Sequence, residues 1–144
     1  MTRKADITDC KLITDLALLL WPHHTQTELE EEIIGIMKMD TAAFFLAYEM
    51  QQPVGFAQCQ LRFDYVQGCK SSPVGYLEGI YVSEGSRRKG IAKQLLASCE
   101  AWSKAMGCEE FASDCNISNM DSLQFHLKMG FGEESRIICF KKMI

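Results

Sequence analysis

The sequence has no basic surplus. Fifteen Lys+Arg stand against nineteen Asp+Glu, for a formal net charge of -4, which argues against a dedicated nucleic-acid binder. It has no C-x-x-C pair either. Its seven cysteines, at 10, 59, 69, 99, 108, 115 and 139, are odd in number. A secreted disulfide framework and a structural zinc site both fit poorly. The expectation is free thiols, many buried as small hydrophobes, in a reducing cytosol, and no metal. A long apolar run is missing too. Leu16–Trp21 is far too short to span a bilayer, and the opening MTRKADITDC lacks an apolar h-region. No transit peptide, lipidation signal or internal repeat is evident, so a cytoplasmic protein is expected. With 47% hydrophobic and 24% charged residues among 144, the composition is that of one compact domain, 1–144.

Periodicity and punctuation predict the elements. A short strand ends near Asp6. Thr8 or Asp9 then caps a helix carrying Leu12, Ile13, Leu16, Leu19 and Leu20, which Pro22 stops. Thr27 with Glu30 forms a capping-box pattern opening a helix over 28–38. Its acidic cluster, Glu28 and Glu30–Glu32, suits the positive end of the helix dipole better than a ligand. Residues 41–48 and 54–63 read as a hairpin, followed by a long polar connection over 64–75 and a strand over 76–82. A helix over 90–106 carries Ile91, Leu95, Cys99, Trp102 and Met106 on one stripe and ends at Gly107. A strand over 111–114, a helix over 120–129 closed by Gly130, and a final strand over 137–142 complete an α+β (mixed α/β) order.

The most specific stretch follows the strand over 76–82: Ser86-Arg87-Arg88-Lys89-Gly90-Ile91-Ala92. Gly90 permits close backbone approach, and the helix it opens has N–H groups with no intrahelical partner. With Arg87, Arg88, Lys89 and Lys93 nearby, these donors suit a pyrophosphate. Neither G-x-G-x-x-G nor a Walker A lysine pattern is present. A basic, solvated helix start would look the same.

Two motifs decide between these readings. Arg87…Gly90…Ala92, an R-x-x-G-x-A pattern, resembles the acyl-CoA pyrophosphate loop of the GNAT acetyltransferases. Downstream, Asn119-x-x-Ser122-x-x-Phe125-His126-x-x-x-Gly130-Phe131 resembles that superfamily's late helix. The resemblance implies the GNAT fold: a central mixed, largely antiparallel sheet flanked by helices, with a splayed strand pair for acetyl-CoA. His126 stands where many members carry a tyrosine that can protonate the leaving thiolate. A histidine can also donate a proton, and a packed helix histidine fits equally well.

Further segments are similar to the aminoglycoside 6'-N-acetyltransferases. They are Leu20-Trp21-Pro22-x-His24, Arg62-x-Asp64-Tyr65-Val66-x-Gly68-Cys69, Ser71-Ser72-Pro73-Val74, Leu77-Glu78-Gly79-Ile80-Tyr81-Val82 and Ala112-Ser113-Asp114. By this resemblance Ile80, Tyr81 and Val82 face the pantetheine, with backbone groups of Ile80 and Val82 pairing as an added strand would. Arg87, Arg88, Lys89, Gly90, Ile91, Ala92 and Lys93 form the pyrophosphate site, and Asn119 bonds the pantetheine arm. Trp21, His24, Tyr65, Glu78 and Asp114 match substrate-contacting positions. Relatives carry an acid just before the arginine matching Arg136. Here that position is Ser135, with Glu133 and Glu134 as the nearby replacements. Relatives are often homodimers.

The residues themselves agree with this. Glu78 and Asp114 are acids on apolar strands; alone each could be an exposed edge residue, but facing one cleft they would bind a polycation. Trp21 and Tyr65 could cover sugar rings or cations, although core packing competes for Trp21. The expected chemistry is direct transfer of an acetyl group from acetyl-CoA to a 6'-amine in a ternary complex. Glu78 accepts the amine proton, Asp114 binds other ammonium groups, and backbone N–H groups near Ile80–Val82 polarise the thioester. An acyl-cysteine route through Cys69 or Cys115 has no activating histidine nearby in sequence. Two alternatives stay open: a GNAT enzyme for another amine, such as a polyamine or protein N-terminus, and a non-catalytic acyl-CoA-binding module.

Overall fold

The computed structural model describes residues 1–144. Five strands form one sheet in sequence order: β1 (Thr2–Lys4), β2 (Ala42–Glu49), β3 (Gln52–Arg62), β4 (Val74–Val82) and β5 (Phe111–Ser113). The first four run antiparallel, and β5 joins β4 in parallel. Helices α1 (Cys10–Leu20) and α2 (Gln26–Met37) cover one face. Helix α3 (Ile91–Ala105) covers the other, with α4 (Met120–Lys128) beside it. No helix is long and apolar enough to cross a membrane.

Two cores explain why β2 reads as an unbroken apolar run. Ala43, Phe45 and Ala47 pack with Leu95, Leu96 and Cys99 of α3, while Phe44 and Leu46 pack with Ile13, Leu16, Leu29 and Ile33 of α1 and α2. A strand buried on both faces has no polar alternation to show. In β3 the faces separate. Ala57 and Cys59 join the α3 core, Phe56 joins the other, and Gln58 lies on the Phe56 side.

The β3–β4 ladder contains the irregularity that builds the site. Gln58 pairs with Gly79 but Cys59 pairs with Leu77, so Glu78 is an extra residue opposite no partner. Such a bulge re-aims side chains and increases local twist. Its effect shows in the packing: Leu77 and Ile80, three apart, both belong to the α3 face. β4 pairs with β5 only from Gly75 to Leu77. Beyond the bulge, β4 has no neighbour on that side.

Several expectations are corrected. Asp9 stands at the N-cap of α1, but its side chain makes no capping bond there; the capping bond lies one turn earlier, on the 3-10 turn Ile7–Asp9, where the Asp6 carboxylate accepts the Thr8 N–H at 2.8 Å. Helix α2 is capped by Thr25, whose hydroxyl accepts the Glu28 N–H at 3.3 Å. The T-x-x-E spacing occurs twice, and the earlier copy prevails over Thr27–Glu30. Met106 is 40% exposed, and the buried position on that face is Ser103. The expected strand over 137–142 does not form. A strand needs a neighbouring edge, and residues 132–144 make no backbone hydrogen bond within the chain.

Asp9 shows how β1 is fastened. It is 6% exposed, accepts both Arg3 nitrogens at 2.7 Å, and accepts the Asp6 N–H at 2.9 Å. The Arg3 hydrogen bonds hold its carboxyl below the usual range. Asp9→Asn is expected to destabilise the fold by about 1.5–3 kcal/mol, the range for hydrogen bonds to a charged group. A depressed folded-state value means the contribution is present above the unfolded Asp value of about 3.9 and is lost as pH falls through the folded one. Urea unfolding of both proteins at neutral and acid pH checks this: the difference should be full at neutral pH and shrink in acid.

Candidate active site

The gap beside β4 follows from hydrogen-bond alternation. Ser83 N–H donates to Val54 C=O at 2.7 Å, and in an antiparallel pair the bonded positions alternate. Tyr81 and Gly79 therefore bond to β3, while Ile80 and Val82 turn their N–H groups away from it. On that side no strand receives them. The sheet leaves a short open ladder there, able to pair with an extended amide-bearing chain.

The same strand leads into the loop before α3. Arg88 (φ 63°) and Gly90 (φ 80°) are both left-handed there, a conformation that suits glycine and strains arginine. Gly90 is the N-cap and carries no side chain to satisfy the first N–H groups of α3. An uncapped helix start is an anion site. Its basic residues divide into two kinds. Arg87 Nε donates to Val82 C=O at 2.8 Å, and its guanidinium lies 5.6 Å from the Tyr81 ring, so it fixes the loop to β4. Lys89 pairs with Glu49 at 2.9 Å, pointing to the β2–β3 turn. Arg88 and Lys93 are exposed and engage no side-chain partner within the chain, which leaves them available to a phosphate. Ile91 is buried in the α3 core and Ala92 packs against it, so these two contribute backbone rather than side chain.

Glu78 and Asp114 lie at the other end of β4, neither of them isolated. Arg62 donates to Glu78 through Nε at 3.1 Å and Nη2 at 3.0 Å. The Tyr76 hydroxyl donates to Asp114, and the Arg62 guanidinium lies 3.4 Å from the Tyr76 ring centre. Burial and the Asp114 hydrogen bond push the Tyr76 phenol well above its ordinary value, so it stays a donor.

Two cavities open here. The smaller, about 370 Å³, is lined by Trp21, His23, His24, Glu32, Gln58, Gln60 and Glu78 among others. Trp21 both packs and lines: its ring meets Phe56 edge-on at 6.0 Å and lies over Gly79. The larger, about 1160 Å³, contains Arg62, Tyr65, Tyr76, Ser113, Asp114, His126 and Glu134. Tyr65 is 77% exposed. Glu134 lies against Gly68, while Glu133 pairs with Arg136.

His126 sits beside the end of β5. Its Nδ1 is 2.6 Å from the Ser122 carbonyl oxygen and its Nε2 is 2.8 Å from Ser113 Oγ. A carbonyl accepts only, so Nδ1 carries a proton, and a neutral ring then accepts the Ser113 hydroxyl proton at Nε2. Any proton leaving the ring through Nε2 passes by Ser113. Asn119 spends its carbonyl oxygen capping α4 through Ser122 N–H at 3.1 Å, which leaves its amide NH₂ free. Cys69 is a poor nucleophile, because burial and the neighbouring Glu110 push its thiol up.

Sequence reasoning gave no role to Arg62, Tyr76, Gln58, Gln60, Ser113 or Glu110. It placed Glu32 in a helix-dipole cluster, whereas the structure turns it into the smaller cavity. The polar Gln58-x-Gln60-x-Arg62 alternation on an apolar strand was the available signal. Glu110 gave none: it accepts Lys70 N–H and Ser71 N–H at 2.8 Å and Ser71 Oγ at 2.6 Å, pinning the 64–73 connection from forty residues away.

An open strand edge running into an uncapped helix start defines the class. The Acetyltransferase (GNAT) family matches residues 10–131, and the chain belongs to that family. Within it, the similarity narrows. Aminoglycoside N(6')-acetyltransferase type 1 of Serratia marcescens is 40% identical over 90% of this chain and 89% of its own. The protein of that name from Acinetobacter genomosp. 13 is 42% identical over 90% and 88%. The structure of AAC(6')-Iy in complex with the bisubstrate analogue CoA-S-monomethyl-acetylneamine superposes with a TM-score of 0.96 at 37% identity, covering 100% of this chain and 98% of that one. AAC(6')-Ih from Acinetobacter baumannii gives 0.93 at 35%, covering 100% and 98%.

A Cβ at Gly79 would lie 2.6 Å from a Trp21 ring carbon. Gly79→Ala is therefore expected to destabilise by about 1–3 kcal/mol, as overpacking does. It should also raise the KM for the acceptor more than that for the acyl donor. Denaturant unfolding and steady-state kinetics measure both.

Proposed function

We propose that this chain, acting as one domain over 1–144 in the cytoplasm, transfers an acetyl group from acetyl-CoA to the 6'-amino group of aminoglycosides and so confers resistance. The observation that carries the reading is the arrangement along β4. Carboxylates stand at Glu78 and, on β5's end, Asp114; open amides follow at Ile80 and Val82; an uncapped helix start lies beyond. One strand thus connects a polycation site to a polyphosphate site.

Acetyl-CoA supplies the activated acyl group. The residues that fit it are Ile80 and Val82 through their backbone, Tyr81 beside them, Asn119 through its free amide, and Arg88–Lys93 at the pyrophosphate. Arg87 contributes by holding the loop. The acceptor amine arrives protonated, since an alkyl amine titrates near 10.4. Glu78 accepts that proton, directly or through water, and the neutral amine then attacks the thioester carbon, with the C–S bond breaking and CoA leaving as the thiolate. Asp114, Glu134 and Glu32 hold other ammonium groups. Trp21, His24 and Tyr65 cover the rings. In its imidazolium form, with a proton on each ring nitrogen, His126 gives the Nε2 proton to Ser113 Oγ while the Ser113 hydroxyl proton passes to the thiolate.

The enzyme acts as a homodimer. Residues 132–144 expose Ile138 at 81%, Phe140 at 91% and Met143 at 80%, and apolar side chains so displayed mark an interaction surface. A second copy is the partner that accounts for them. Light scattering should give twice the chain mass, and a monomer at micromolar concentration would refute the dimer.

Thiol release from acetyl-CoA tests the reaction itself. A 6'-amino aminoglycoside should turn over and its 6'-hydroxy counterpart should not; equal turnover would sink the assignment. Glu78→Gln should lower kcat/KM by about 10²-fold or more near neutral pH, the range for a general base.

A further inference from the structure

One ion pair stands between the two cavities. Arg62 lines the larger and Glu78 the smaller, and the guanidinium grips both carboxylate oxygens at 3.1 and 3.0 Å. Its central carbon also lies over the Tyr76 ring, 3.4 Å from the centre, while the ring's hydroxyl donates to Asp114. A single built-in cation therefore occupies the three features that an incoming ammonium group would use: a carboxylate, an aromatic face and the field of a second carboxylate. Resting on the proposed function, we propose that Arg62 is a specificity-determining residue, a resident surrogate for the substrate cation that must leave Glu78 before an amine can reach it.

The energetics permit the exchange. Arg62 is 43% exposed and Glu78 21%. Ion pairs open to solvent are weak, so this one can be traded. An ammonium taking the place of the guanidinium leaves Glu78 paired throughout, and no bare carboxylate is stranded in a half-buried site. A neutral ligand offers no such replacement and meets a closed seat. Because Arg62 lines the larger cavity and its partner Glu78 the smaller, moving Arg62 would open the boundary between them, to the advantage of a multi-ring polycation over a small ligand. The register places Arg62 for this: Gln58, Gln60 and Arg62 alternate on β3, opposite the stretch of β4 that carries Tyr76 and Glu78.

The test is steady-state kinetics of Arg62→Met and Arg62→Lys with a 6'-amino aminoglycoside. In Arg62→Met the competitor is gone, so KM should fall about fivefold or more, and by more than kcat changes. Arg62→Lys keeps the charge without the fork and should fall between; it carries the test alone if the Met variant does not fold. In a Glu78→Gln background, Arg62→Met should no longer lower KM, because no carboxylate remains to be freed. An unchanged or raised KM in both variants would overturn the inference, as would a loss of kcat at constant KM that lysine fails to rescue. A wild-type protein inert toward every 6'-amine would refute the proposed function instead.

Discussion

The parallel pairing of β4 with β5 stops at Leu77, and the site depends on that stop. Glu78 is the extra residue of the bulge immediately beyond it. The bulge turns an acid onto the α1–α2 face, changes the parity of the strand and frees the next amides from any neighbour on the β5 side. Gly79 leaves space for Trp21 to lie across the strand at the same point. One inserted residue thus separates the acceptor side from the donor side while keeping both on a single rigid element. A site on a strand buried between two cores is held more firmly than one on loops.

Charge is distributed to match. The small net charge of -4 is the sum of unlike regions. Glu32, Glu78, Asp114 and Glu134 line the two cavities, and Arg88 and Lys93 stand free at the start of α3. Local arrangement, and not net charge, supplies attraction for a polycation on one side and a polyphosphate on the other. Arg87 and Lys89, which look equivalent to them in sequence, are committed to Val82 and Glu49. They shape the loop and leave the charge to their neighbours.

Much of this was legible. The helices of α1, α3 and α4, the β2–β3 hairpin and the glycine stops follow from periodicity and backbone freedom. The motifs around Gly90 and Asn119 point to the donor side before any coordinates. What was hidden shares one cause: it depends on contacts distant in sequence. The bulge at Glu78 exists only against β3. Glu110 reaches across forty residues to hold the connection over 64–73. Glu32 stands in an acidic run that the capping pattern at Thr27 placed at a helix start; with α2 capped earlier, at Thr25, only Glu28 lies in the first turn and Glu32 lines the smaller cavity. The segment over 137–142 has strand composition without a strand, because composition cannot provide the neighbouring edge.

Amide hydrogen exchange with and without CoA tests the open edge of β4 most directly, since CoA bound there must cover particular backbone N–H groups. Protection should rise at Ile80, Val82 and Ile91–Lys93, and stay unchanged at Tyr81, whose N–H already bonds to β3. Protection confined to other segments, or none along β4 at saturating CoA, would contradict the account.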